Sequence, residues 1–254
     1  MFIPIPHCIM RNIKLILEYD GTNYCGFQKQ KQHNTIQREL EKALSRLCNE
    51  PIRVTSSGRT DSGVHARGHV VNFTMSRTLT KSNIIKGANS YLPKDIVVKS
   101  VRFVSASFHA RFSARRKIYQ YHLWNAPVRT PLRNRYCYHY IFPLNIADMK
   151  KAAKVLVGKR DFKAFCAQGR KKENTIRHLR RITIRKKGYL ITFTFEGNGF
   201  LYNMVRNIVG TLLLAGRGKL FVSDVKKILS SKDRMQAGPT APPQGLMLMK
   251  VLYI

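Results

Sequence analysis

Acidic residues are scarce in this sequence. Asp and Glu number 13 among 254 residues, against 46 Lys and Arg, which gives a formal net charge of +33. Repulsion between so many like charges opposes a compact state unless an anionic partner offsets it. The imbalance therefore predicts a polyanionic partner. Nucleic acid fits best, because basic side chains neutralise its phosphates and release the counterions.

Long apolar runs are also missing. No apolar stretch reaches the length that a helix needs to cross a membrane. No segment has the basic amphipathic pattern that suits an anionic membrane surface. We therefore expect no membrane partner. Residues 1–9, which contain Pro4 and Pro6 and no basic region, do not resemble a signal peptide and are predicted to be an extension ahead of the fold.

Cysteine spacing gives no support to a metal site. The chain has 5 cysteines, none in a Cys-x-x-Cys pair, so neither a structural zinc site nor a redox motif is predicted. Such a dispersed set suits the reducing cytoplasm. His65 and His69 have the i, i+4 spacing of zinc-binding pairs, but no Glu lies between them. We favour an RNA-facing or structural role for both.

Apolar residues make up 44% of the chain, enough for a packed core. Their spacing predicts strand–helix–strand twice, around a basic, aromatic connector at residues 106–117. This order is typical of an α+β protein with a largely antiparallel sheet and helices packed on it. We divide the fold into residues 10–107 and residues 108–254.

The apolar periodicity also predicts the separate elements. Helices are expected near residues 36–47, 84–92, 146–156, 201–213 and 225–229. Asn34 or Thr35, Asn145 and Ser223 are the expected helix caps. Strands are expected at 13–19, 52–54, 71–75, 96–104, 118–124, 136–141, 179–184, 190–195 and 246–253.

One acid, Asp61, lies in a turn-rich stretch between Gly58 and Gly63, directly before a strand-like alternation. Glycines allow tight turns and close approach of a ligand to the backbone, so an acid here can be rigid and accessible at once. Taken alone, such an Asp more often serves a turn. Taken alone, Tyr119 is likewise an ordinary sheet tyrosine and Arg206 a solvated helix arginine.

The stretch Gly58-Arg59-Thr60-Asp61-Ser62-Gly63-Val64-His65-Ala66 resembles the catalytic motif of the tRNA pseudouridine synthase A family. Several blocks in the family's order are far more specific than one motif. The departures are Phe27, where tryptophan is common, and residues 1–9, which have no counterpart. The further blocks are residues 19–22 with 26–28, 108–112 with 116–121, 161–165, 197–201 with 204–210, and 241–242 with 245–246.

The resemblance implies an isomerase that breaks the uracil–ribose bond of a tRNA uridine, turns the base and rejoins it through C5, without cofactor or metal. The implied targets are positions thirty-eight to forty of the anticodon stem-loop. The implied fold is two similar ferredoxin-like halves that form one extended, mainly antiparallel sheet with a central basic cleft. The implied partners are tRNA and a second copy of the chain, in the cytoplasm.

The resemblance also assigns roles to residues. Asp61, a carboxylate at neutral pH because Asp has a reference pKa of about 3.9, attacks covalently or acts as the base of an elimination, and both routes stay open. Arg206 pairs with Asp61 and keeps it ionised, and Tyr119 takes the C5 proton. The residues expected to contact RNA are Arg59, which fills the stack after the base flips out, and His65, Arg67, Arg111, Arg115, Arg116 and Lys117.

Two other functions fit part of the sequence. A non-catalytic RNA-binding or ribosome-associated protein would explain the charge and the aromatic residues equally well, but it needs no Asp61, Tyr119 and Arg206 together. A nucleoside hydrolase would need a second carboxylate across the scissile bond or an Asp-rich metal site. The motif offers one acid only, which favours a reaction in which water takes no part.

Overall fold

The structure is a computed structural model that describes residues 10–167 and 174–253. Residues 1–9, the expected extension, lie outside the described residues. The chain divides into two compact units, the first ending at Ala114 and the second beginning at Arg115. The stretch from residue 108 to Ala114 therefore packs with the first unit.

The first unit is a sheet with two helices. Its strand order is β4-β1-β3, both pairings are antiparallel, and the short β2 pairs with β3. Thr35 caps α1, since its hydroxyl accepts from the backbone N–H of Arg38. The elements are β1 Arg11–Tyr19, α1 Ile36–Cys48, β2 Thr55–Ser56, β3 His65–Met75, α2 Lys81–Tyr91 and β4 Ile96–Val104.

Two strands of this unit differ from expectation. Ile52 and Val54 are buried but precede β2, which has only two residues. β3 begins at His65, well before the expected start at Val71, and nearly all of its side chains are buried on both faces. Four of the first five residues of β3 are His, Arg or Gly, so apolar spacing could not reveal its first half.

The second unit has a larger sheet with the strand order β10-β5-β9-β8-β7, in which these neighbours are antiparallel, while β6 runs parallel to β5. Both units thus confirm the predicted α+β class with a mainly antiparallel sheet. The elements are β5 Arg116–Trp124, β6 Tyr138–His139, α3 Ile146–Val155, β7 Gly158–Asp161, β8 Ile176–Lys187, β9 Leu190–Gly197, α4 Met204–Gly216, α5 Val222–Ser231 and β10 Leu246–Leu252.

Of the two helix caps predicted in this unit, Asn145 is confirmed and Ser223 is wrong. Asn145 caps α3, because its side-chain oxygen accepts from the N–H of Ala147 at 2.9 Å. Ser223 is not a cap, since α5 begins at Val222. The Asp224 carboxylate instead reaches back to the N–H of Phe221 at 2.8 Å and satisfies that end of the helix.

The expected strand at residues 136–141 shortens to β6. Only Tyr138 and His139 pair with β5 as strand residues, because β5 ends at Trp124, whose carbonyl accepts from the N–H of Tyr140 at 2.9 Å. The expected hairpin is confirmed, with Lys187 opposite Leu190. Within the described part of the chain, no helix has the length and apolarity needed to span a membrane.

Candidate active site

The backbone on both sides of Asp61 is tied to one neighbouring segment. The N–H of Phe27 donates to the carbonyl of Thr60 at 3.1 Å, and the N–H of Gly63 donates to the carbonyl of Tyr24 at 3.3 Å. Asp61 itself is half-buried. The loop therefore holds its acid in a defined place while part of the side chain stays accessible.

Two glycines make this close approach possible. A Cβ atom on Gly21 would lie 2.1 Å from the carbonyl oxygen of Val64, and one on Gly26 would lie 2.7 Å from that of Thr60. Gly26 also has a φ of +87°, which disfavours any side chain. Both glycines lie in the family block at residues 19–22 and 26–28. The backbone of this block therefore packs directly against the Asp61 loop.

A network of hydrogen-bonded polar side chains stabilises the Asp61 loop. The Tyr19 hydroxyl lies 2.8 Å from the Thr60 hydroxyl and 2.9 Å from Nδ1 of His69. Nε2 of the same ring lies 3.0 Å from the Ser56 hydroxyl, which accepts from the N–H of Gly58 at 3.1 Å. With both ring nitrogens bonded and no solvent exposure, His69 has a structural role.

Phe27 completes this support. Its ring stacks on the His69 imidazole with 4.2 Å between centroids and 10° between planes, and it is almost fully buried. The tryptophan that is common at this position is thus replaced by a smaller aromatic residue that keeps a flat surface beneath His69. The departure leaves the local architecture intact.

The basic residues around Asp61 differ in exposure. Arg59 and Arg67 are exposed, as an RNA contact requires. His65 is only 1% exposed, and its Nδ1 lies 3.0 Å from the N–H of Gly21 and 3.1 Å from Oδ1 of Asp20. Burial to this degree suits a residue that fixes the turn at Asp20 against the loop.

Tyr119 lies on β5 in the second unit, opposite Phe195 of β9 and Leu248 of β10. Its side chain is 8% exposed. The ring of Phe200 meets it edge-on, with 5.0 Å between centroids and 79° between planes. Phe200 belongs to the family block at residues 197–201, so this block restrains the orientation of the tyrosine ring.

Arg206 lies on α4 and is half-buried, so it is not the solvated helix arginine that its position alone indicates. Its Nε donates to the carbonyl of Ala241 at 2.7 Å, and one terminal nitrogen donates to Oδ1 of Asn203 at 3.1 Å. The N–H of Ala241 donates in turn to the carbonyl of Arg206 at 3.2 Å. These bonds give the guanidinium a fixed direction.

The loop that carries Ala241 is itself held by Asn207, a fully buried residue. Oδ1 of Asn207 accepts from Arg234 at 3.0 Å and from the Thr240 hydroxyl at 2.7 Å. Its Nδ2 donates to the carbonyl of Phe165 at 2.9 Å. The sequence analysis predicted a role for neither Asn207 nor Arg234. The position of Asn207 directly after Arg206, in the same family block, could have indicated one, whereas no sequence pattern pointed to Arg234.

The basic connector is shared between the units. Arg111 in the first unit and Arg115 in the second are exposed, while Arg116 and Lys117 are half-buried on β5. Arg116 donates to Glu196 at 2.8 Å, so it also stabilises the sheet. Among residues 10–167 and 174–253, no group of three or more His, Cys, Asp or Glu side chains is arranged to hold a metal ion.

Comparison with known proteins bears on the same residues. The family model described as tRNA pseudouridine synthase matches residues 15–113 and 152–253. These segments contain Asp61 and Arg206, and Tyr119 lies between them. The chain belongs to the tRNA pseudouridine synthase family. The family prediction is confirmed, and with it the prediction of an isomerase that acts on uridine in tRNA.

Individual members of the tRNA pseudouridine synthase family are similar along nearly their full length. The tRNA pseudouridine synthase A of Thermoanaerobacter sp. (strain X514) is 48% identical over 244 residues, which cover 96% of this chain and 100% of the relative. The Geobacillus kaustophilus enzyme of the same name is 43% identical, with 96% and 95% covered. The tRNA pseudouridine synthase A 2 of Clostridium perfringens is 44% identical, with 96% and 100% covered.

Proposed function

We propose that the protein converts uridine to pseudouridine in the anticodon stem-loop of tRNA, at positions thirty-eight to forty. The observation that supports this most is the Asp61 loop, which holds a single acid between backbone bonds to Tyr24 and Phe27 in a segment that matches the family. We further propose that the enzyme acts without a cofactor, as a homodimer, in the cytoplasm.

The reaction replaces one bond between uracil and ribose with another. The bond between N1 of uracil and C1′ of ribose breaks, a bond between C5 and C1′ forms, and the C5 proton is lost while N1 gains one. The Asp61 carboxylate begins the reaction, either as a nucleophile toward ribose or uracil or as the base of an elimination from the sugar. Either route returns the carboxylate unchanged and consumes no water.

Tyr119 and Arg206 serve the same reaction in the roles that the resemblance implies. Tyr119 takes the proton from C5, and the edge-on contact with Phe200 supports this role because it restrains the ring. Arg206 keeps Asp61 as a carboxylate. The bonds between Arg206 and Ala241 support this second role, since they fix the guanidinium before substrate binds.

Exposed arginines hold the RNA. Arg67, Arg111 and Arg115 contact phosphates, and the half-buried Arg116 and Lys117 add positive charge on β5. The predicted RNA contact of His65 is not kept, because this residue is only 1% exposed. Arg59 enters the stack that the target base leaves, which offsets part of the few kcal/mol that base flipping costs. RNA stems are recognised mainly by shape, so a single enzyme can act at neighbouring positions of one stem-loop.

The test uses pure protein, Asp61→Asn and unmodified tRNA transcripts. Pseudouridine is mapped by chemical reactivity and primer extension, and tRNA binding is measured in the same salt. We expect conversion by the wild type at positions thirty-eight to forty and none by Asp61→Asn, with binding preserved. Asp148→Asn is the matched control, because Asp148 is an exposed acid on α3 whose partner is Lys151 at 3.4 Å.

Transcripts with cytidine at one or more of the three positions show which uridine reacts. Conversion elsewhere in the tRNA would reject the anticodon stem-loop as the target. Binding without conversion by the wild type would support a non-catalytic RNA-binding protein instead. Conversion that persists in Asp61→Asn would remove Asp61 from the chemistry.

A further inference from the structure

Phe112 is an aromatic residue that the structure presents to solvent. It is 76% exposed, although burial of a phenylalanine side chain is normally favourable. Its ring contacts the His109 imidazole, with 4.3 Å between centroids and 31° between planes. The guanidinium carbon of Arg111 lies 5.6 Å from the ring centroid. The ring is therefore both exposed and restrained by its neighbours.

The turn that carries Phe112 is closed by its own hydrogen bonds. Nδ1 of His109 accepts from the N–H of Arg111 and from the N–H of Phe112, each at 3.2 Å. The N–H of His109 donates to the Ser113 hydroxyl at 3.2 Å, and the N–H of Ser113 donates to the carbonyl of His109 at 2.9 Å. Because these bonds fix the backbone, the direction of the Phe112 Cα–Cβ bond is also fixed, and the contact with His109 restrains the ring.

The turn is anchored to the first sheet through two buried asparagines. The N–H of Ala110 donates to Oδ1 of Asn72 at 2.8 Å, and Nδ2 of Asn72 donates to Oδ1 of Asn12 at 3.0 Å. Nδ2 of Asn12 donates to the carbonyls of Ser105 and Phe108, each at 2.9 Å. Asn72 lies on β3, the strand that follows the Asp61 loop. The turn is thus joined to the strand that leads out of that loop.

We propose that Phe112 is a stacking platform for an unpaired base of the tRNA substrate. An exposed ring stacks with any base, and pre-ordering of the ring lowers the entropic cost of binding. Arg111 beside it contacts the adjacent phosphate. The proposal rests on the proposed function, since it takes tRNA as the ligand.

Charge favours RNA over a protein at this surface. The ring lies on a segment that carries Arg111, Arg115, Arg116 and Lys117, in a chain of net charge +33. A second copy that docked through this same segment would set its cations against these, so we expect the proposed homodimer contact to lie elsewhere on the chain. A polyanion gains from the exposed cations Arg111 and Arg115.

The test measures the dissociation constant of unmodified tRNA over a range of KCl concentrations for wild type, Phe112→Ala, Phe112→Leu, Phe112→Tyr and Arg111→Ala. Phe112→Ala is expected to weaken binding about 5- to 150-fold at every salt concentration, without change in the slope of log K against log salt. Phe112→Tyr keeps a π-face and should bind like wild type. Phe112→Leu lacks one and should bind like Phe112→Ala. Arg111→Ala should reduce the slope by about 0.7 to 0.9, the value for one phosphate contact.

Phe221→Ala is the matched control, since Phe221 is 71% exposed at the start of α5, in the second unit. It should leave the dissociation constant unchanged. Wild-type binding by Phe112→Ala or by Phe112→Leu would overturn the proposal. A changed sedimentation coefficient with unchanged affinity would also overturn it and assign Phe112 to a contact between copies.

Binding is measured on unmodified transcripts with cytidine at positions thirty-eight to forty, where no uridine is available to react, so the two proposals fail separately. A wild type that binds tRNA but does not form pseudouridine would reject the proposed function, while loss of binding in Phe112→Ala would still support the platform. A wild type that forms pseudouridine, with a Phe112→Ala variant that binds equally well, would reject the platform alone. Thermal unfolding of Phe112→Ala should match the wild type, because the ring is exposed.

Discussion

Arg206 and Ala241 are joined by two reciprocal hydrogen bonds. The side-chain Nε of Arg206 donates to the carbonyl of Ala241 at 2.7 Å, and the N–H of Ala241 donates to the carbonyl of Arg206 at 3.2 Å. The proposed catalytic guanidinium is therefore positioned by a loop that is far from it in sequence. Substitutions that shift this loop should therefore slow the chemical step, even at positions that do not contact the substrate.

Gly210→Ala should be harmful. A Cβ at Gly210 would lie 1.7 Å from the carbonyl oxygen of Pro239, so the loop that carries Ala241 must shift. Gly to Ala inside a helix is usually stabilising by roughly 0.5–1 kcal/mol. Here we expect a loss of about 1–3 kcal/mol in the free energy of unfolding and a lower kcat with unchanged tRNA affinity. Denaturant titration and single-turnover kinetics measure both quantities.

Gly87→Ala is the control for that change. Gly87 also lies inside a helix, but its added Cβ would meet the end of the flexible Leu47 side chain, at 2.4 Å from Cδ1, rather than backbone. The Leu47 side chain can move, so we expect a much smaller effect on stability and none on kcat. Equal behaviour of the two variants would contradict the special role of the Pro239 contact.

Tyr19→Phe should loosen the Asp61 loop. The variant removes the hydroxyl that lies between Thr60 and His69 and leaves two buried polar groups without it. We expect a decrease of about 1–3 kcal/mol in the free energy of unfolding. We also expect a severalfold lower kcat with unchanged tRNA binding. Tyr189→Phe, at a tyrosine that is 55% exposed, should change neither, and a normal kcat for Tyr19→Phe would show that the loop does not need this bond.

Asp161 should make stability depend on acid pH. Burial alone would raise the pKa of its carboxyl, but hydrogen bonds from Thr175 and Lys163 and the ammonium of Lys232 outweigh burial and lower the pKa below its ordinary value. A lowered pKa in the folded state means that the ionised form stabilises the protein. This contribution is present above the unfolded-state pKa and is lost as pH falls through the folded-state pKa.

Asp161→Asn tests this dependence. Wild type should exceed the variant in free energy of unfolding near neutral pH, and the difference should shrink as the solution is made more acidic than pH ~4, the ordinary pKa of Asp. Denaturant titrations at a series of pH values measure it. A difference that stays constant down to the acid limit would contradict the assignment. Asp148→Asn, at an acid that is 45% exposed, is the comparison and should show a smaller difference at neutral pH.

Asn72→Ala should release the turn at residues 109–113. The variant leaves the N–H of Ala110 and Oδ1 of Asn12 without the Asn72 partner, so we expect about 1–3 kcal/mol lower free energy of unfolding. Because the same turn carries Phe112, tRNA affinity should fall as it does in Phe112→Ala. Thr74→Ala, an exposed neighbour on β3, is the control. Unchanged affinity in Asn72→Ala would mean that the turn keeps its position without this anchor.

The sequence by itself was enough for the α+β class, most elements and the family. Local features can be predicted without a structure. They include the apolar spacing, caps such as Thr35 and Asn145, and the turn at Gly188. The Asp61 motif and the order of the other blocks determined the kind of enzyme. The sequence did not predict the first half of β3, because His65, Arg67, Gly68 and His69 give no apolar pattern although most of this half is buried.

Only the tertiary structure revealed how the proposed site residues are held. Gly21 and Gly26 are required because the backbone at Thr60 and Val64 passes within contact distance. Asn207 accepts from Arg234, and Asn72 binds Asn12. Such partners are far apart along the chain. Each pair forms because folding buries polar groups, and buried polar groups need hydrogen-bond partners. No local pattern encodes that choice, so it is decided by packing.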